Sequence, residues 1–248
     1  MLKLIVSDLD GTLLPYGQEC VPNTVKKLIR ELLDCGVHFA VSSGRTYSEL
    51  LKFLPEFEND IYFICCDGAY YLKGGKILYS KHIMHEQLLY VSMAAAKTPC
   101  IYHSAAESYA TAGIPEGYHE LFSPKEISSA EKIPVNEKIY KITLFSSPIR
   151  LPAHASLRVH WNEGETADIT EYVNRFSNKG AALSDLKSRL FLSGLDVAVI
   201  GDADNDLSMM RGVKYSFAVG DRSKLVGAVA DYKVDSAQTA LYRLLSLK

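Results

Sequence analysis

Residues 2–7 form a short apolar run with no polar alternation. Such a run is the pattern of a strand covered on both faces, as in a parallel sheet. After a loop holding Pro15 and Gly17, Val25, Leu28, Ile29, Leu32 and Leu33 recur at helical spacing. Pro22 marks the start of that helix and Gly36 its end. Residues 37–41 make a second apolar run, 42–45 turn into a second helical stretch, and 61–66 make a third run. Strand, helix, strand, helix, strand predicts a doubly wound, Rossmann-like α/β sheet.

The pattern then changes. Residues 70–72 and 76–79 flank Gly74-Gly75, a hairpin signal. An alanine-rich helical stretch is expected over 86–97, and separate strands over 101–103, 140–145 and 157–161. Pro115, Pro124, Pro134, Pro148 and Pro152 punctuate them, so this middle part reads as α+β rather than βαβ. From Asn178 the alternation returns. A helix carries Ala182, Leu183, Leu186 and Leu190, and residues 197–200 form a buried strand ending in Gly201-Asp202. Residues 215–219 form another strand, and the last helix packs with Leu241, Leu244 and Leu245. The expected organisation is a discontinuous α/β core (1–81 and 172–248) with an inserted α+β domain at 82–171, a normal size for a domain.

Composition narrows the class. The 248 residues are 48 % hydrophobic and 23 % charged, ordinary for a soluble enzyme and wrong for a disordered chain. A net charge of -2 and a pI near 6.4 give no electrostatic footprint for nucleic acid or an anionic membrane. No apolar run is long enough to span a bilayer, and the opening segment is too short and acidic for a signal peptide, so a cytoplasmic location is expected. The five cysteines lack CxxC spacing, which argues against a disulfide framework or zinc site. The seven histidines lack HxxxH or HxH spacing.

Ligands of open parallel sheets bind outside the carboxyl ends of the strands. Asp8 and Asp10 follow the first strand, Ser43 the second, Asp67 the third and Asp202 the strand 197–200, while Lys179 opens the helix before it. Each has a plainer reading by itself. Asp-Xaa-Asp serves caps and turns, Ser43 a cap with Gly44 in the turn, Lys179 a solvated helix end, and Asp67-Gly68 a turn. Asp202, Asp204 and Asp206 suit a helix N-terminus. The set is harder to explain, because clustered carboxylates repel and need a cation. Hard oxygen donors suit Mg²⁺, and the stretch 202–206 lacks the later glutamate of a calcium loop.

The segments DLDGT (8–12), SSGR (42–45), NKGAAL (178–183) and GDADNDLSMM (201–210) resemble, in order and spacing, the four motifs of the haloacid dehalogenase-like superfamily. The arrangement is similar to the Cof-type branch, in which an α+β cap lies between the second and third motifs. The resemblance implies a phosphatase acting on small phosphorylated metabolites, sugar phosphates first. Asp8 would form an aspartyl-phosphate and Asp10 act as general acid and base. Mg²⁺ would lie between Asp8, the Asp10 carbonyl and Asp202, with Asp206 in or next to its shell. Ser43, Gly44, Lys179 and Asn205 would bind the phosphate, and Thr12 would orient Asp10. Arg45, Asp67 and Gly68 are candidate substrate contacts.

Two positions depart from the branch pattern. Asp67-Gly68-Ala69 stands where Asn-Gly-Ala is common, and Gly220-Asp221 where Gly-Asn is common. Each puts an acceptor that can carry charge in place of an amide. In the inserted domain, His103, Tyr109 and Trp161 are candidates for contacts to the leaving group. Rival readings are a phosphotransferase or mutase of the same superfamily, and an inactive binding protein. The expected assembly is a monomer or homodimer.

Overall fold

In the computed structural model, residues 2–95, 98–150, 157–162 and 168–247 are described, without the side chains of 160–162. The chain divides into two compact units, Met1–Arg45 with Leu50–Tyr79 and Asn178–Lys248, and Thr46–Glu49 with Ser80–Ser177.

The first unit holds strand β1 (Leu4–Asp8), helix α1 (Asn23–Asp34), strand β2 (His38–Ser42) and most of helix α2 (Tyr47–Phe53). Strands β3 (Tyr62–Cys65), β4 (Tyr70–Lys73) and β5 (Lys76–Ser80) follow. The second unit continues with α3 (His85–Ala95), β6 (Cys100–His103), β7 (Ser108–Ala110), α4 (Glu116–Phe122) and β8 (Lys125–Glu126). It ends with β9 (Lys141–Leu144), β10 (Leu157–Asn162) and β11 (Ile169–Asn174). The chain returns to the first unit for α5 (Lys179–Arg189), β12 (Val197–Gly201), α6 (Leu207–Met210) and β13 (Tyr215–Val219). Helix α7 (Lys224–Val229), β14 (Tyr232–Val234) and α8 (Ala237–Leu245) complete it.

The core sheet runs β14-β13-β12-β1-β2-β3-β4-β5. Its strands are parallel from β14 to β3, β4 turns back antiparallel to β3 after the turn at 66–69, and Gly74-Gly75 joins β4 to β5. All residues of β1 and β12 are buried, which is why both read as apolar runs. The strand order reverses at β1: the next strand in sequence is added on one side, and β12 on the other. That switch point puts the carboxyl ends of β1 and β12 side by side, with Ser7 opposite Ile200 and Asp8 opposite Ser42.

The second unit carries its own sheet, β10-β11-β9-β6-β7-β8, antiparallel except for β7 and β8. Its larger core joins Leu88 and Val91 of α3 to Tyr102, Ile142, Leu144 and Tyr172. A smaller cluster sets Ile101 and Ala110 against Tyr118 and Phe122 of α4. The α+β character expected for this segment is what the fold has. Its span is wider than 82–171, because position 171 lies inside β11, whose Tyr172 and Val173 are paired with β9. Entry and exit are tied together past that strand: Asn174 Nδ2 donates to the His82 carbonyl at 3.0 Å, and Ser177 Oγ to that of Lys81 at 3.4 Å. No described helix is long and apolar enough to cross a membrane.

Candidate active site

Asp8 closes β1 and is buried, as are Asp202 just past β12 and Asp206 four residues later. One carboxylate oxygen from each lies within 4.8 Å of the others. The loop between Asp202 and Asp206 is wound so tightly that Asp206 Oδ2 accepts from the backbone N–H groups of Asp202 and Ala203, at 3.0 and 3.1 Å. Gly201 is what permits this, since a Cβ there would stand 2.5 Å from the Asp206 carboxylate.

Lys179, the first residue of α5, is only 1 % exposed. Its helix starts there because the Asn178 side chain caps it, accepting from Ala181 N at 2.8 Å. Two glycines bring that helix end into the site. A Cβ on Gly68 would lie 2.3 Å from the Asn178 carbonyl oxygen, and one on Gly180 would lie 2.0 Å from that of Ser208. The ammonium donates to Asp8 Oδ1 at 2.5 Å and to Asp206 Oδ1 at 2.7 Å.

The charges do not balance. Three buried carboxylates lie around one buried ammonium, which bonds only Asp8 and Asp206, and the pKa values respond. Burial pushes the Asp8 carboxyl well above the usual range; Lys179 opposes this, while Asp206 and Asp202 add to it. Asp202 is pushed up to about 6, by burial first and then by the charge of Asp206. For Lys179, burial alone favours the neutral amine, but the charges of Asp8, Asp206 and Asp67 outweigh it and the pKa is raised. A cluster of hard oxygens short of positive charge fits a divalent cation of the Mg²⁺ type.

Asp10 faces other partners. Arg45 grips its carboxylate with a two-pronged fork, Nη2 to Oδ1 at 2.7 Å and Nε to Oδ2 at 2.9 Å, and Ser43 Oγ donates to Oδ2 at 3.2 Å. Arg45 also lies 4.8 Å over the ring of Phe53. Thr12, expected to orient Asp10, instead donates to Asp202 Oδ1 at 3.3 Å. Gly11 makes the turn between them at φ +84.

Past β3, Cys66, Asp67 and Gly68 all have positive φ, at 49, 52 and 82. Two consecutive non-glycine residues in the left-handed region store strain of a kind that clusters at functional sites. The turn is held by Cys66 N donating to Arg45 O and Asp67 N to Ser43 O, both at 2.9 Å. It aims the buried Asp67 at the loop 202–206, where Asn205 Nδ2 donates to Asp67 Oδ1 at 3.0 Å. Gly44 runs beside it, its absent Cβ 3.5 Å from Asp67 Oδ2.

Asp8, Asp10, Thr12, Ser43, Gly44, Arg45, Asp67, Gly68, Lys179, Asp202, Asn205 and Asp206 thus form one connected constellation in the first unit. Asp221 is exposed beside it, in the turn made by Gly220 at φ 63. In the second unit, His103 is fully buried and spends both ring nitrogens on Ser108 Oγ and Thr143 Oγ1. Burial holds its pKa well below the ordinary value, so it is a neutral core residue. Tyr109 is buried in the α3-side core. The Trp161 side chain lies outside the described residues. Sequence reasoning missed two residues. Tyr16 donates to Asp202 Oδ2 at 2.8 Å, and Arg222 Nη1 stands 3.6 Å from the same oxygen. Carrying the strand-end rule one strand further, to the loop after β13, would have found Arg222.

Comparison with known proteins agrees with this geometry. Residues 5–241 match the family model for haloacid dehalogenase-like hydrolases. A 5-amino-6-(5-phospho-D-ribitylamino)uracil phosphatase of Escherichia coli, YbjI, is 25 % identical over 95 % of this chain and 91 % of its own. A phosphatase of the same name from Bacillus subtilis, YcsE, is 22 % identical over 95 % and 90 %. A crystal structure from Eubacterium rectale superposes with a TM-score of 0.84 at 22 % identity, covering 98 % of this chain and 99 % of that one. The chain belongs to the haloacid dehalogenase-like hydrolase family and is an enzyme of its Cof-type phosphatase branch.

Proposed function

We propose that this enzyme hydrolyses small phosphate monoesters, sugar phosphates first, through an aspartyl-phosphate on Asp8 and with Mg²⁺ as cofactor. The observation that carries this reading is Asp8 itself: a buried carboxylate at the end of the central strand, facing a buried ammonium and flanked by two further carboxylates. Asp8, Asp202 and Asp206, with the Asp10 carbonyl, would hold the metal. Bound there, Mg²⁺ supplies positive charge that offsets the nucleophile and the phosphate oxygens.

The residues then divide the work. An Asp8 oxygen forms a bond to phosphorus as the ester P–O bond breaks, and Asp10 gives its proton to the departing oxygen. In the second half Asp10 takes a proton from water, whose oxygen attacks phosphorus and frees the Asp8 carboxylate. The Arg45 fork and Ser43 keep the Asp10 carboxyl group in one place between these steps. Lys179 and the donors around Ser43 and Asn205 offset charge on the transferring group. Two relatives are named for a substrate that bears its phosphate on a ribityl chain, which makes phosphorylated sugars and sugar alcohols the first compounds to try.

The test is phosphate release over a panel of sugar, sugar-alcohol and nucleoside monophosphates, including 5-amino-6-(5-phospho-D-ribitylamino)uracil. Turnover should require Mg²⁺ and disappear in Asp8→Asn while the fold is kept. Undiminished release by that variant, or in excess chelator, defeats the proposal.

A further inference from the structure

Lys179 reaches Asp8 and Asp206, and Asp202 is served by a different cation. Arg222 Nη1 stands 3.6 Å from Asp202 Oδ2, and its guanidinium lies 4.9 Å over the ring of Tyr16. The Tyr16 hydroxyl donates to that same oxygen at 2.8 Å and lies 3.5 Å from the Asp10 carbonyl. Asp202 and the Asp10 carbonyl are both among the groups that would hold the metal under the function proposed above. The Tyr16 hydroxyl reaches Asp202 across Gly11, where a Cβ would come within 2.4 Å of it. Arg222 is open to solvent: its side chain is 60 % exposed, against 2 % for Asp202. A buried carboxylate therefore carries a phenol donor and, stacked on that phenol, a cation free to leave into water.

We infer that Tyr16 and Arg222 form a counter-cation clasp on Asp202, which satisfies this carboxylate before the metal is loaded and competes with the divalent cation for it. The inference rests on the Mg²⁺ site of the proposed function. A guanidinium beside a ligand oxygen repels an incoming divalent cation. Loading Mg²⁺ therefore requires Arg222 to swing off Asp202 into the solvent that its side chain already meets. The charge of Arg222 rather than its bulk does this work, so lysine should replace it and glutamine should not.

The experiment is Mg²⁺ titration of the full chain by isothermal calorimetry, without substrate, at low and at 0.5 M-order salt. Arg222→Gln should bind Mg²⁺ about two- to fivefold more tightly than the wild type at low salt, the size expected for a partly exposed ion pair. The gap should close at high salt, where the Debye length falls to about 3–5 Å. Arg222→Lys should stay near the wild type. Tyr16→Phe, which keeps the ring and removes the hydroxyl, should shift the constant in the same direction as Arg222→Gln. Mg²⁺ affinity that is unchanged or weaker in Arg222→Gln overturns the clasp. A wild type that binds no Mg²⁺ overturns the proposed cofactor as well, so the two failures are distinguishable.

Discussion

Replacing Lys179 by methionine tests the electrostatics of the site most directly. Methionine keeps much of the volume in a position that is 1 % exposed and removes the one ammonium that Asp8 and Asp206 share. Breaking a buried pair in this way costs about 3–5 kcal/mol, because the partner charge stays behind. For a chain of this size, that should lower the metal-free melting temperature by about 6–20 °C. The loss should depend on pH. The folded-state pKa of Asp8 is raised, so its charge opposes folding above that value, and the penalty fades as pH falls toward the ordinary carboxylate range. Without Lys179 the Asp8 pKa rises further, so the deficit against the wild type is largest at pH 8 and shrinks toward pH 5. Thermal melts in chelator at pH 8, 6.5 and 5, for both proteins, measure it. A deficit of equal size at all three values would refute the reasoning, since it would mean that Lys179 acts through packing and not through charge.

Two further outcomes follow from the same geometry. Asp202, pushed up to about 6 in the metal-free protein, must be ionised to bind a cation, so apparent Mg²⁺ affinity should weaken about tenfold between pH 8 and pH 5, with proton release visible when calorimetry is repeated in a second buffer. An affinity that stays flat over that range removes Asp202 from the ligand set. Gly180→Ala would put a methyl group 2.0 Å from the Ser208 carbonyl oxygen, so the contact of α5 with α6 must open at a cost of about 1–3 kcal/mol. Because that contact sits between Lys179 and Asp206, Mg²⁺ binding should weaken along with the melting temperature. A variant as stable as the wild type would show that the helices yield freely.

The core was legible in the sequence because its strands are buried on both faces. The buried strands β1, β2, β3 and β12 read as unbroken apolar runs, and each ends in the polar residue that the site uses. Where one face of a strand carries polar groups the signal faded. Strand β11, ITEYVN, alternates, and a boundary drawn at 171 cuts it in two. Helix α4 has no buried residue, so no apolar stripe announces it. That these residues would meet was legible from the strand ends and the family resemblance, but not the partnerships between them. Thr12 turns to Asp202 rather than Asp10, and Asp10 is held by Arg45, because these choices depend on how loops from different strands meet. Tyr16 and Arg222 carried no motif, and only the fold brings them to the same oxygen.

Strand β1 lies between β2 and β12, and the nucleophile it carries is paired with a lysine 171 residues further along the chain. On the ribosome this order has a cost in time. At about 5–20 residues per second, Asp8 is made roughly 9–35 s before Lys179, and one edge of β1 has no neighbour until β12 follows. An unpaired apolar strand is a template for the wrong partner. During that interval the second unit, whose sheet is complete in itself, is free to fold first. It then holds the two halves of the core at the ends of a finished body, so the last strands close a short gap rather than search across a long loop. The inserted unit would then assist assembly of the core during synthesis, before any substrate is met.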